Sequence, residues 1–310
     1  MLKAAMRPKP KLLIEQFGRT DGVSYVPASQ SLEPEALGSE LARVGRLESA
    51  GFRAKIAGLK MPFAHHRKLW ELAYILEALE AKGKVFDGAR GLAFAVGLER
   101  TPAYLAAHGC TIVATDLGAE DAFSEVWNKS DQWSGSIKDL IFEDVCPSDV
   151  MEQRVSFRPV DMNKIPDDLV GFDFTWSTCS FEHCGSIELG LQFIHEQMKC
   201  LKPGGVAVHT TELNLSSNDA TLLQGNTVLF RLQDIERLIR ELEANGHDVE
   251  PLDVRLGTHE LDTQVDMKDA RTGRFSSERH MRLKIGKYAS TSIGLIITKD
   301  GRSSVQKQVP

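Results

Sequence analysis

From residue 91 onward the chain alternates short apolar runs with amphipathic stretches of about 8 to 15 residues. That alternation is the most restrictive feature of the sequence, because apolar strands separated by helices specify a parallel sheet with crossover connections. "GLAFAVG" is the first strand, "TPAYLAAHG" the first crossover helix, with Pro102 near its first turn, and "TIVATD" the second strand, ending on Asp116. "RVSFRPVD", "GFDFTWSTCS" and "GGVAVHTTE" follow as strands, the last introduced by the turn "KPGG". "SIELGLQFIHEQMKCL" and "LQDIERLIRELEANGH" read as helices, and "VEPLDVRL" and "YASTSIGLIITKDG" as two closing strands. The expectation is an α/β fold with a doubly wound, mostly parallel sheet.

Residues 1–60 are polar, and Pro8, Pro10, Pro27 and Pro34 break any long element. They are expected to form an N-terminal helical extension or cap, in which "EPEALGSELARVGRLESAG" is a short helix. "HHRKLWELAYILEALEAKGK" sets Leu69, Ala73, Leu76 and Leu79 at helical spacing and should pack on the sheet, with Trp70 in an interhelical contact. The main domain is then 61–302, and the tail at 303–310 is expected to be disordered.

Composition narrows the function classes. With 310 residues, 42% hydrophobic and 26% charged, the chain can bury a large core. A net charge of -6 argues against a generic binder of nucleic-acid backbones. There is no run of about 18 apolar residues and no apolar leader, so no membrane insertion is expected and the chain reads as cytoplasmic. Cys110, Cys146, Cys179, Cys184 and Cys200 form no CxxC pair and are expected as buried small hydrophobes.

Two glycine turns compete for a ligand-binding role. "VFDGARG" has the better glycines, but Gly91 lies too far from Asp116 for one turn, one short helix and one strand. From Gly97 the interval is 19 residues, close to the step of about 20 between a phosphate-binding turn and the acid that meets a ribose. The turn is therefore Ala95-Val96-Gly97-Leu98-Glu99, with one glycine where such turns usually carry two or three. Asp116 is placed to accept hydrogen bonds from both ribose hydroxyls, although strand-end acids also cap turns. A dinucleotide turn would want a third glycine near Arg100, so a nicotinamide-dependent oxidoreductase is the weaker reading.

The later motifs select a family. The loop at Ala95 to Gly97, Asp116, "VDMNKIP", "FEH" and "KPGG" occur in the order found in the seven-stranded class I S-adenosylmethionine-dependent methyltransferases. The chain resembles these from about residue 85 to residue 300. In "HRKLWE", "DMN", "EH", "VAVHTTE", "LFR" and "TSIGLII" it is similar to methyltransferases of bacterial glycan and polysaccharide gene clusters. The resemblance implies a seven-stranded sheet and S-adenosyl-L-methionine as cofactor. Ala95 and Gly97 would approach its methionine portion and Asp116 its ribose, with Val96, Glu99 and Leu117 completing those contacts. Asp161 and Met162 would bracket the adenine, and Ser177 to Ser180, with Ser177 and Thr178 as cofactor contacts, would line the floor beneath the sulfonium.

Methyl transfer from a sulfonium is an in-line displacement that needs no metal, and most of its rate can come from positioning. A hydroxyl acceptor also benefits from a general base. His183 in "FEHC" and His209 in "VAVHTTE" are the candidate bases, and Glu212 is a candidate contact to substrate hydroxyls. A structural, hydrogen-bonded histidine is the competing role for each. The polar segment "THELDTQVDMKDARTGRFSSERHMRLK" is expected as a loop at the substrate or, equally, as a solvated loop. The activity implied is O-methylation of a small-molecule or saccharide acceptor, with a homo-oligomer compatible and no metal expected. The alternative is a degenerate methyltransferase fold serving as a binding or assembly subunit, motivated by Ala95, Leu98 and Glu99 in the turn.

Overall fold

The structure, a computed structural model, describes residues 10–32, 36–119, 133–269, 272–276 and 278–300. The tail expected at 303–310 lies outside the described residues. The strands are β1 (Ser39–Leu41), β2 (His65–His66), β3 (Arg90–Phe94), β4 (Thr111–Asp116), β5 (Val155–Pro159), β6 (Phe172–Thr178) and β7 (Leu201–Asn214). They continue with β8 (Asp248–Val249), β9 (Leu252–Asp253), β10 (Val265–Asp266), β11 (Arg279–His280), β12 (Arg282–Ile285) and β13 (Tyr288–Thr298). The helices are α1 (Val44–Glu48), α2 (Ala50–Gly58), α3 (Arg67–Ala81), α4 (Thr101–Ala107), α5 (Ser148–Arg154), α6 (Ile187–Gln197), α7 (Leu232–Ala244) and α8 (Glu260–Thr263). Among the described residues, no helix is long and apolar enough to cross a membrane.

The sheet runs β5-β4-β3-β6-β7-β13-β12-β10. Strands β5 to β7 are parallel, and β13 inserts antiparallel beside β7 from Ser290↔Asn214 to Thr298↔Val206. The position beyond β13 is shared by three short segments rather than filled by one strand. β8 pairs Val249 with Ile297, β1 pairs Glu40 with Gly294, and β12 pairs Leu283 with Ser290. The doubly wound, mostly parallel fold follows from this order, because helices cover both faces. One apolar cluster joins α1 to α5 to one face through Ala93, Val206 and Val208; the other joins α6 and α7 to the opposite face through Leu92, Phe94 and Ala207. The alternation along β3 and β7 is the period of two that sends successive side chains to opposite faces.

Three local expectations are corrected. The stretch expected as one helix near residues 33–51 contains β1 before α1 and α2, because Glu40 is buried between Arg43 and Arg46 at the sheet edge. Ser49 then starts α2 by accepting a hydrogen bond from the Phe52 N–H. "KPGG" opens the long β7 instead of forming a separate turn, with a register shift against β6 between Phe172 and Phe174. "VEPLDVRL" breaks at Pro251 into β8 and β9.

Helix α3 sits close on the sheet. A Cβ on Gly294 would lie 2.2 Å from the Tyr74 ring, so only glycine in β13 admits this approach. Trp70 is fully buried, stacked on Tyr74 and tilted against Phe52, as expected for an interhelical contact. The same closeness carries Lys68 and Leu72 to the carboxyl edge of the sheet.

Candidate functional site

The chain leaves β3 for β4 and β5 on one side, then returns to β6 on the other. The carboxyl ends of β3 and β6 therefore flank a switch point, where open α/β sheets form a ligand crevice. A cavity of about 690 Å³ occupies it. Its walls come from the turn after β3 (Ala95 to Glu99), the end of β4 (Asp116, Leu117), the segment Val160 to Asn163 and the floor Thr178 to Ser180. His183 to Gly185, Gly225 and Asn226 close one end, and Lys68 and Leu72 of α3 complete it.

The turn is built despite its missing glycines. Ala95 and Gly97 both adopt left-handed backbone, with φ of 49° and 50°. Glycine does this freely, whereas alanine pays about 1 kcal/mol or more. Asp116 braces the turn from below. Its Oδ2 accepts from the N–H groups of Gly97 (3.0 Å) and Ser134 (3.2 Å), and its Oδ1 from Leu117 (2.8 Å). The Ser134 hydroxyl donates in turn to the Gly97 carbonyl. A carboxylate has about four lone-pair sites, so Asp116 keeps one for a ligand. The bidentate role expected from sequence is thereby reduced to a single hydrogen bond. Burial pushes the Asp116 carboxyl up to about 6 against these bonds.

The floor is also strained. Cys179, just past β6, has φ of 45°, and it and Ala95 are two of the three non-glycine residues with positive φ among the described residues. Both lie on this cavity, the usual place for stored backbone strain. Beneath the floor lies a buried ionic cluster. Arg67 pairs with Glu71 (2.7 Å) and Glu212 (2.5 Å), Lys68 with Glu71 (3.0 Å), and Ser290 donates to Glu212 (3.1 Å). Burial works to raise the Glu71 carboxyl, but Lys68 and Arg67 outweigh it and bring it to about 2. Beside the turn, Glu99 accepts from the Thr178 hydroxyl (3.0 Å), and burial pushes it up to about 8.

His183 sits at the cavity's other end, its side chain 24% exposed. Its Nδ1 lies 2.7 Å from the Asn226 carbonyl, which can only accept, so the neutral ring carries its proton on Nδ1 and its lone pair on Nε2. Burial lowers its pKa, which keeps it neutral at physiological pH. Glu182 lies 4.0 Å from Nε2, accepts from the Thr211 hydroxyl (2.8 Å), and is raised by burial and by Glu212.

The structure thus brings together Ala95, Val96, Gly97, Glu99, Asp116, Leu117, Asp161, Met162, Thr178 and His183 on one cavity. It does not bring Ser177, His209 or Glu212 there. His209 is fully buried within β7, its Nδ1 2.8 Å from the Ser177 hydroxyl and its ring edge-on to Phe181 and Phe193. Burial drives it down to about 3. The general-base role expected of His209 is replaced by that of a neutral core residue, and Ser177 is its partner rather than cavity floor. Glu212 is neutralised by Arg67 under the floor, not solvated at a substrate. The polar segment expected at the substrate instead folds into α8, β10, β11 and β12, and none of its described residues lines the cavity. All five cysteines are free and buried. Lys68, Leu72, Ser134 and Asn226 were not singled out by sequence. Among the described residues, no group of acids, cysteines and histidines is arranged to hold a metal.

No protein-family model matches the chain, and no curated protein does. Solved structures do. A candidate sarcosine dimethylglycine methyltransferase from Galdieria sulphuraria is 15% identical over 82% of this chain and 100% of its own, with a TM-score of 0.45. Magnesium protoporphyrin IX methyltransferase from Synechocystis, with bound S-adenosylhomocysteine, is 11% identical over 83% and 97%, with a TM-score of 0.43. Haemonchus contortus phosphoethanolamine N-methyltransferase 2, in complex with S-adenosyl-L-methionine, is 14% identical over 83% and 59%, with a TM-score of 0.41. At these values the strand order and the cavity, not the likenesses, carry the reading that follows.

Proposed function

We propose that this chain is an S-adenosylmethionine-dependent methyltransferase acting on a hydroxyl of a small-molecule or carbohydrate-like acceptor. The observation that carries this reading is one cavity at the switch point with a left-handed glycine turn braced by an acid at one side and a tautomer-fixed histidine at the other. The lining fits the cofactor. The Gly97 turn permits close backbone approach, Asp116 offers its remaining lone pair to a ribose hydroxyl, and Asp161 and Met162 supply a polar and a polarisable contact for a purine. When bound, the cofactor supplies an electrophilic methyl group on a sulfonium.

The chain's own residues do the rest. His183 Nε2 would receive the proton of the acceptor hydroxyl, whose oxygen would take the methyl group that the bound cofactor supplies, the cofactor leaving as the thioether. The walls would have to hold acceptor and methyl group in line, which is where most of the rate of such a displacement can arise. The saccharide character of the acceptor is supported by the sequence resemblance alone. Calorimetric titration tests the proposal: S-adenosylmethionine should bind the full chain, and absence of heat at millimolar cofactor would leave a binding or assembly protein instead.

A further inference from the structure

Among the described residues, Lys68 is the single permanently cationic side chain lining the cavity. It projects from the first turn of α3, and its side chain is 43% accessible while its partner Glu71 is fully buried. Its position is imposed. Glu71 meets the ammonium at 3.0 Å and is itself fixed by Arg67 at 2.7 Å and by the Ser292 hydroxyl. Two carboxylates, Glu71 and Glu212, match the two cations Arg67 and Lys68, so the cluster is neutral as a whole, yet the ammonium is the member that opens on the cavity. An ammonium has three N–H donors, and among the described residues Glu71 is the one carboxylate paired with it. Lys68 lies near enough to Glu99 beside the turn, as well as to Glu182, Cys179 and His183, to act on the charge of each, which puts it between the turn and the proposed base.

We infer that Lys68 is the anion-receiving point of the acceptor site, so that the acceptor carries a carboxylate or comparable anionic oxygen group beside the hydroxyl that faces His183. This rests on the transferase reading above. The anion is held, not methylated: the proton goes from the hydroxyl to His183, the methyl group goes to that oxygen, and the product keeps its negative charge. Burial works to lower the Lys68 pKa, but Glu71 overrides it and keeps the group an ammonium, suited to hold an anion and unsuited to act as a base.

The test incubates the full chain with cell extract and methyl-labelled S-adenosylmethionine, and separates labelled products by charge at neutral pH. The label should be retained on an anion exchanger and be stable to alkali. Lys68→Met should cut transfer about 10- to 100-fold, the worth of one charged hydrogen bond, and Lys68→Arg should restore much of it. Affinity of Lys68→Met for S-adenosylhomocysteine, measured by calorimetry, should stay within about two-fold, which also reports that the variant is folded. A neutral or cationic product, an alkali-labile methyl ester, or a cofactor affinity that falls with Lys68→Met would overturn the inference; the last would place the ammonium on the cofactor's own carboxylate. Failure of the unmodified chain to bind cofactor or to transfer label would remove the transferase reading itself, a separate result.

Discussion

His209 offers the sharpest test of the separation between core and cavity. The ring is fully buried in β7, bonded through Nδ1 to Ser177, and its Nε2 has no hydrogen-bond partner. Burial holds its pKa near 3, against 6.5 in the unfolded chain. The folded pKa is depressed, so the unfolded state takes up a proton first as pH falls, and stability is lost from about pH 6.5 down to about pH 3. For one site with these values, the unfolding free energy falls by about 2 kcal/mol between about pH 7.5 and 5. His66, His183 and His280 are also depressed, while Asp116, Glu99 and Glu182 are raised and act in the opposite sense, so the whole-chain profile is a sum. His209→Leu isolates one term. Urea unfolding at both pH values should show the variant losing about 2 kcal/mol less than the unmodified chain on acidification. An identical loss in both would mean that His209 titrates normally and has access to water, which would return it to the list of candidate bases.

The remaining predictions concern the cavity. His183→Ala should lower label transfer by about 100- to 10,000-fold with cofactor affinity unchanged; full transfer would mean that positioning alone drives the reaction. Ala95→Gly should raise the unfolding free energy by up to about 1 kcal/mol, because relief of left-handed strain outweighs the extra freedom of glycine in the unfolded chain. A loss of that size in urea unfolding would show that the alanine methyl group packs usefully in the turn.

The sheet was legible where its strands are long and apolar. Strands β3 to β7 and β13 announce themselves as apolar runs, and Asp116 and Gly97 fall where spacing puts them. The far edge was not legible, because β1, β8, β10 and β12 span only two to four residues each, too short for any period to emerge, and are held by pairing with β13 or with one another. Arg67 and Glu71 were hidden for a different reason. Four residues apart on a helix, they look like a solvent-facing ion pair, and it is the packing of α3 on β7 and β13, where they meet Glu212 and Ser292, that buries them. His209 could have been placed from sequence: a strand buried on both faces has no exposed side, so a histidine in its middle belongs to the core.

The poor glycine turn has a physical compensation, and it yields a prediction that separates two roles of one acid. A turn with alanine at a left-handed position is less stable on its own, and Asp116 supplies what is missing by accepting three backbone N–H groups from Gly97, Leu117 and Ser134. An acid that served only a bound ribose would matter only when ligand is present. Asp116→Asn keeps one oxygen with two lone pairs and puts an amide NH2 where the other oxygen accepted, so at least one backbone N–H loses its partner. The variant should therefore lose about 1 to 3 kcal/mol of unfolding free energy in the absence of any ligand, measured by urea unfolding of the purified chain. If stability were unchanged and only cofactor affinity fell, the brace would be dispensable, and the single glycine would need another explanation.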